Sequence, residues 1–490
     1  VNITFRMDNY LSDNSDLLIF TKYSDQPFSS ELKKIDKKLN RAISRKAKAS
    51  DFKGELGSVL SLDTAGSIKS RAIFVLGLGT KKEFSTSSCY RSFASAGRKL
   101  NSNDAEIRVI YDLPNNRYIL SNVLEGLIQG SYEFNKYKTE NKKNVKRNVS
   151  IYSKSLKEQK FKRENNFATI MSDAVKLARD VINEPPVFLT PSKLAEISDT
   201  VAHEGSLDIE VFDKEKILKM GMGALYAVSR GSTQPPKFIH MTYTPRSKFT
   251  KTLAVVGKGI TFDSGGLCIK PANSMLTMKM DMSGAATVVG VMKAVSKLKP
   301  KIKVHGIIPA TENMTGGDAY KPDDVIYAMN GKSIEVINTD AEGRLALSDA
   351  LSYTVKNLKV NEIIDLATLT GACIVGLGSY TAGVMGNNEK LINNILNSSE
   401  SVGEKMWQLP LDDELRKEIK SKVADIKNVG SRWGGAITAG LFLENFVSEK
   451  PWVHIDIAGP AYLENGNDVY PAGGTGFGVR TVVNHIMENS

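Results

Sequence analysis

The sequence predicts an α/β protein of two domains: a smaller N-terminal α/β domain, and a larger C-terminal three-layer α/β domain with a mainly parallel central sheet. Three observations carry this. The chain has 490 residues, more than a single hydrophobic core usually organises. Short apolar runs alternate with stretches of helical periodicity, the pattern of a parallel sheet covered on both faces. Charge is also divided unevenly. Residues 1–165 carry 31 Lys+Arg against 18 Asp+Glu, and residues 166–490 carry 34 against 36.

In chain order, DLLIFTKY (16–23), RAIFVLGLG (71–79) and AEIRVIYDL (105–113) read as strands, with YRSFASAGRKLN (90–101) as a helix. The Lys- and Asn-rich stretch 137–163 has room for one strand and marks a domain edge. The first domain is therefore expected over 1–163. NFATIMSDAVKLARDVIN (166–183) has helical apolar spacing and stops at Glu184-Pro185-Pro186, so 164–183 is expected as a connecting helix. The second domain is expected over 184–490. Its strands are TLAVVG (252–257), KVHGIIPA (303–310), SIEVI (333–337), EIIDLATL (362–369) and WVHIDIAG (452–459). AATVVGVMKAVSKLK (285–299) and GRLALSDALSYTVKNL (343–358) are its helices.

Composition narrows the chemistry. A hydrophobic fraction of 41% with 24% charged residues is that of an ordinary globular protein. No apolar run approaches the ~18 residues that span a membrane. The opening VNITFRMDNY has no signal-peptide core, so a cytoplasmic location is expected. Three scattered cysteines argue against a thiolate metal site. None of the five histidines pairs with another at ligand spacing, which excludes an H-E-x-x-H zinc site. A metal in this chain has to be held by carboxylates.

Carboxylates gather where strands end. TLAVVG runs into KGITFDSGGLCIKP, with Lys258, Asp263 and Lys270; SIEVI runs into NTDAEGR, with Asp340, Glu342 and Arg344. EIIDLA and WVHIDI run into TLTGAC and AGPAY, and Asp281 precedes the helix at 285. Ligands in open α/β sheets sit at the carboxyl ends of strands. Singly, each residue has a structural reading. Asp281 would serve as an N-cap, Asp340 and Glu342 as acids in a helix's first turn, and Gly265-Gly266 as a tight turn. Lys258 resists such a reading, because a lysine ending a buried strand is costly unless paired or neutral. Four acids at one sheet edge repel one another. Divalent cations relieve that repulsion, and carboxylates bridging two ions about 3.5–4 Å apart are a recurring hydrolytic device.

These segments resemble the leucyl aminopeptidases, also called cytosol aminopeptidases. NTDAEGRL carries the resemblance together with VGKGITFDSGG, MKMDMSGAA, NMTGGDAYKPDDVI, DLATLTGA, HIDIAGPA and GGTGFGVR, all in family order over about 175–485. One departure is Asp323 in YKPDD, where a glycine is expected at a turn. The resemblance implies a metal-dependent aminopeptidase that releases N-terminal leucine and other apolar residues by a two-metal, bridging-water mechanism. It implies two divalent ions per subunit, manganese or zinc, with magnesium as an option at the exchangeable site. Lys258, Asp263, Asp281 and Glu342 would hold the tighter ion, and Asp263, Asp340 and Glu342 the exchangeable one. The lysine ligand would bind as a neutral amine, its pKa strongly lowered by the adjacent dication. Lys270 would stabilise the oxyanion, and Arg344 would hold a bicarbonate that shuttles the proton. Met278, Thr368, Gly371, Ala458 and Ala461 would line the side-chain pocket.

The partners implied are peptides with a free N-terminus and further copies of the chain, in a homohexamer built as a dimer of trimers, with no membrane. Cysteinylglycine is an alternative substrate for the same pocket. The basic N-terminal third admits DNA as an additional partner, although no nucleic-acid-binding motif accompanies the charge.

Overall fold

The computed structural model describes residues 1–116, 118–139 and 145–490. They group into two compact units. One comprises 1–172, 401–403 and 465–472; the other comprises 173–400, 404–464 and 473–490. The division falls within the helix Glu158–Asn183, which begins before the connector expected from the sequence.

The first unit holds a six-stranded sheet. From one edge its order is Asn2–Arg6, Asn148–Tyr152, Glu106–Ile110, Ser15–Lys22, Ser70–Gly77 and Val59–Asp63. All neighbours are parallel except the last pair. Ser15–Lys22 is buried along nearly its whole length, which explains why SDLLIFTK lacks the alternation of a half-exposed strand. The expected helix near 90–101 runs from Thr86 to Arg98, because the Ser85 and Ser88 side chains close a capping box at its start. A further helix, Ile119–Gly130, was missed in the sequence, although Ile119, Leu120, Val123, Leu124, Leu127 and Ile128 recur at helical spacing; almost all of it is buried. Eight exposed Lys and Arg side chains lie between positions 33 and 48, on and between the helices Ser30–Lys38 and Ala42–Ala49.

The second unit is built on a sheet of nine strands among the described residues. Its middle is Trp452–Asp456, Glu362–Ala367, Thr252–Gly257 and Lys303–Asn313, all parallel. Antiparallel neighbours flank this block: Ala382–Gly386 beside Trp452–Asp456, and Lys237–Tyr243 beside Lys303–Asn313. Ala254 and Val256 belong to a core with Leu345, Leu347 and Leu351 of the helix Glu342–Asn357 and Phe442 of Gly435–Glu444. Side chains alternate along a strand, so Leu253 and Val255 face the opposite layer. That layer contains the helix Ser283–Leu298, which packs on Pro191–Gly205 and Val479–Glu488. The result is three layers.

Two local expectations change. Ser333–Glu335 does form a strand, but in a separate three-stranded sheet with Val325–Tyr327 and Ile426–Lys427, not at the edge of the central sheet. Three residues are too few to signal which sheet they join. The segment GITFD, placed beyond the end of the strand TLAVVG in the sequence, is itself the strand Gly259–Asp263, parallel to Lys303–Asn313, with a register shift between Ile260 and Asp263.

Candidate metal centre

Lys258 follows the central strand directly, and only 3% of it is exposed. Its Nζ lies 2.8 Å from Asp281 Oδ1 and 2.9 Å from Glu342 Oε1, and donates to the Thr368 carbonyl at 2.9 Å. Lys270 Nζ lies 2.8 Å from Asp263 Oδ2 and 2.6 Å from Asp340 Oδ1. The Thr368 hydroxyl donates to Asp281 Oδ1 at 2.8 Å. The four acids and two lysines singled out in the sequence thus meet in one site.

Local structure explains how. Asp263 sits where the register shifts, and its Oδ1 accepts from the Gly265 amide at 2.9 Å in the turn that follows. Gly265 has a φ of +87°, a conformation that side-chain-bearing residues avoid. Asp281 does not cap the following helix: the N-cap of Ser283–Leu298 is Met282, without a side-chain bond. Glu342 is the first residue of its helix, and Gly343 leaves the space that Lys258 occupies.

Electrostatics favour a divalent ion. Asp263, Asp340 and Glu342 each offer a carboxylate oxygen, and these oxygens lie within 4.8 Å of one another. Burial, with the Glu342 charge adding, pushes Asp263 up to about 6. Burial likewise raises Asp281 well above the carboxylate range, outweighing Lys258, and raises Asp340. Only Glu342 is lowered, because Lys258 and Lys270 overcome its burial. Burial alone would lower Lys258, but Asp281, Glu342 and Asp263 hold it above an ordinary lysine. Carboxylates alone therefore favour the ammonium, the reverse of what a metal-ligating amine needs; a dication inverts that local sign. Two ammonium groups do not balance four acids, and the buried Oδ2 of Asp281 has no hydrogen-bond partner. The donor set fits oxygen-preferring divalent cations.

Arg344 is 7% exposed and donates from Nη1 to the Asn428 carbonyl at 2.8 Å, while its buried Nε has no partner. Burial pulls its guanidinium down to about 10, against the pull of Glu342 and Asp456. Of the expected pocket residues, Thr368 joins the acid cluster directly. Met278 is half-buried in the turn Met278–Met280, and Gly371 is exposed at the start of Gly371–Leu377. Ala458 and Ala461 are buried. Asp456 Oδ1 accepts from the Leu369 and Ala458 amides, both at 3.1 Å, and so ties two of these segments together.

Sequence reasoning missed Asn313, Tyr320 and Thr339. Asn313 is fully buried, and its Nδ2 lies 2.8 Å from Asp263 Oδ1, 3.0 Å from the Thr339 carbonyl and 3.4 Å from Glu342 Oε2. The Tyr320 hydroxyl donates to the same carbonyl at 2.6 Å, and the Thr339 hydroxyl donates to the Gly265 carbonyl at 2.6 Å. Asn313 and Tyr320 lie in the motif NMTGGDAY, whose two polar ends were the available signal. Asp323, which stands where a glycine was expected, has a φ of +71°, so the turn does require the conformation a glycine adopts most easily. His240 and His305, unremarkable in sequence, meet across antiparallel strands at 2.9 Å.

Fold and site define the class: a two-domain α/β protein with a carboxylate-rich centre that fits divalent cations. The chain belongs to the cytosol aminopeptidase family, whose catalytic-domain profile matches residues 176–483 and whose N-terminal-domain profile matches 18–141. It is 46% identical to a probable cytosol aminopeptidase of Sulfurihydrogenibium sp. (strain YO3AOP1), over 100% of this chain and 98% of that one. With the Aquifex aeolicus (strain VF5) protein of the same description it shares 44%, over 94% and 93%. Among solved structures, a mutant of tomato leucine aminopeptidase superposes with a TM-score of 0.91 at 34% identity, covering 100% of this chain and 97% of that one. The bottromycin maturation enzyme BotP in complex with Mn gives 0.86 at 30%, covering 97% and 99%. The protein is thus an aminopeptidase, a hydrolase acting on peptides. Among the described residues no helix is long and apolar enough to cross a membrane.

Proposed function

We propose that this protein is a two-metal leucyl aminopeptidase of the cytoplasm. The observation that carries the reading is the buried acid cluster, in which Asp263, Asp281, Asp340 and Glu342 pair with Lys258 and Lys270 and the Oδ2 of Asp281 is left without a hydrogen-bond partner. Lys258, Asp263, Asp281 and Glu342 would hold one ion, and Asp263, Asp340 and Glu342 would hold the other. Manganese and zinc suit the two positions, with magnesium an option at the second. The chemistry two such ions supply when bound is a water ionised near neutral pH.

The chain's own groups do the rest. The unpartnered Oδ2 of Asp281 accepts from the substrate's α-ammonium and so selects free N-termini. Burial opposes the charge on Lys270, but Asp263, Glu342 and Asp340 raise it, so it stays cationic and donates to the oxyanion of the tetrahedral intermediate. Arg344 has a spare buried donor, and its planar fork suits a bicarbonate that carries the proton to the leaving amine. Met278, Thr368, Gly371, Ala458 and Ala461 form the pocket for an apolar side chain. Exposed Trp407, Trp433 and Val375 supply apolar surface that a homohexamer, a dimer of trimers, would cover.

A substrate panel tests this reading. Leucine p-nitroanilide is expected to be cleaved faster than the alanine and glutamate amides, and N-acetyl-leucine p-nitroanilide not at all. Equal cleavage of the acetylated substrate would overturn the exopeptidase assignment. Faster hydrolysis of cysteinylglycine than of leucylglycine would redirect the specificity to a small thiol. Sedimentation tests the assembly against six copies of a 53.6 kDa chain.

A further inference from the structure

We propose that Asn313 is a positioning residue for the metal centre, its side-chain amide fixing Asp263, Glu342 and the Thr339–Asp340 peptide in one arrangement that divalent cations can use. The inference rests on the metal-centre reading above and goes beyond the ligands themselves.

Backbone topology comes first. Asn313 ends the strand Lys303–Asn313 and stands opposite Asp263 where the register shifts. That irregularity brings the two side chains to the same place. The amide then acts on the acids from behind. Nδ2 donates to Asp263 Oδ1, while Lys270 takes Oδ2; Nδ2 also approaches Glu342 Oε2, while Lys258 takes Oε1. Each of these carboxylates is thereby engaged at both oxygens, which fixes its plane. The second short contact of this two-hydrogen donor, at 3.0 Å, is the Thr339 carbonyl, on the residue before Asp340, where Tyr320 donates as well; the approach to Glu342, at 3.4 Å, is the weakest of the three. One buried NH2 group therefore touches all three segments whose acids lie within 4.8 Å of one another.

Chemistry fixes the orientation of the amide. With nitrogen and oxygen exchanged, Oδ1 would face three oxygen acceptors and repel each. The group is a donor to these acids and cannot itself be a cation ligand. Its Oδ1 meanwhile has no partner in a fully buried site, so the residue gives up one satisfied polar atom to keep its nitrogen among the acids. A residue selected only to fill volume would be apolar here. Partners that orient ligands typically carry a 10–100-fold effect on metal affinity.

The test uses the full-length protein and manganese alone. Asn313→Leu keeps the volume and removes the donor; Asn313→Asp keeps the shape and replaces the donor with an acceptor. Manganese affinity is measured by competition with a fluorescent chelator, kcat and KM at saturating manganese, and unfolding in chelator. At least tenfold weaker binding at one or both sites is expected in each variant, with kcat lowered more than KM. A merely structural residue would lower the unfolding midpoint and leave affinity and kcat unchanged. A folded variant with both within twofold of wild type overturns the proposal. If Asn313→Leu does not fold, Asn313→Asp decides it by the same criterion. Failure of the wild type to take up manganese would instead refute the metal-centre reading.

Discussion

Gly343→Ala sets two physical effects against each other. Gly343 lies in the first turn of the helix Glu342–Asn357. On propensity alone, alanine there should stabilise the helix by about 1 kcal/mol. A Cβ at this position, however, would lie 2.4 Å from Lys258 Cε and 2.6 Å from Nζ. A flexible lysine could ordinarily move aside. This one is 3% exposed and held by Asp281, Glu342 and the Thr368 carbonyl. Its retreat breaks a buried ion pair, at a cost of roughly 3–5 kcal/mol. The expected net result is a loss of about 2–4 kcal/mol, with a fall in kcat/KM on leucine p-nitroanilide of about 100-fold or more. Urea unfolding and steady-state kinetics with manganese measure the two. A variant with wild-type kcat/KM and a stability gain of about 1 kcal/mol would refute the reasoning, because Lys258 would then have no fixed place in the site.

Three further outcomes follow from separate parts of the fold. Asp323→Gly is expected to stabilise the protein by roughly 0.5–1 kcal/mol, read as a raised urea midpoint, because Asp323 has a φ of +71°. Asp349 accepts from the amides of Leu225 at 2.8 Å and Met329 at 2.7 Å, so Asp349→Ala should cost roughly 3 kcal/mol in the same assay. Burial pulls His240 down to about 4 and His305 to about 3, with His240 adding to the shift of His305. The unfolded chain therefore binds these protons first, and stability falls as pH drops from about 6.5 toward 4, by roughly 3 kcal/mol per histidine at pH 4.5. Replacing His305 with Asn should flatten that acid limb of the stability–pH curve.

The convergence of four acids and two lysines was legible in the sequence because strand ends announce where loops converge, and the family motifs carry these residues in order. Lys258 and Asp281 belong to segments 23 positions apart that each follow or precede a strongly patterned element. What surrounds these acids was not legible. Asn313 is neutral and stands 50 positions from Asp263, and the shift that brings them together lies in a strand too short and irregular to leave a pattern. The helix Ile119–Gly130 was legible, since Ile119, Leu120, Val123, Leu124, Leu127 and Ile128 recur at helical spacing, and the sequence reading passed over it. SIEVI was read correctly as a strand but not its sheet, since pairing partners are non-local. His240 and His305 are 65 positions apart, and only the antiparallel register joins them.

The central claim is that the acid cluster holds the ions on which peptide hydrolysis depends. The most direct measurement is a manganese titration of chelator-treated protein, with bound metal and leucine p-nitroanilide turnover followed together in the wild type and in Glu342→Ala. The account predicts two ions bound per chain, turnover that rises with them, and both lost in the variant. Turnover that survives chelation, or a Glu342→Ala protein that binds two ions and turns over normally, would contradict it.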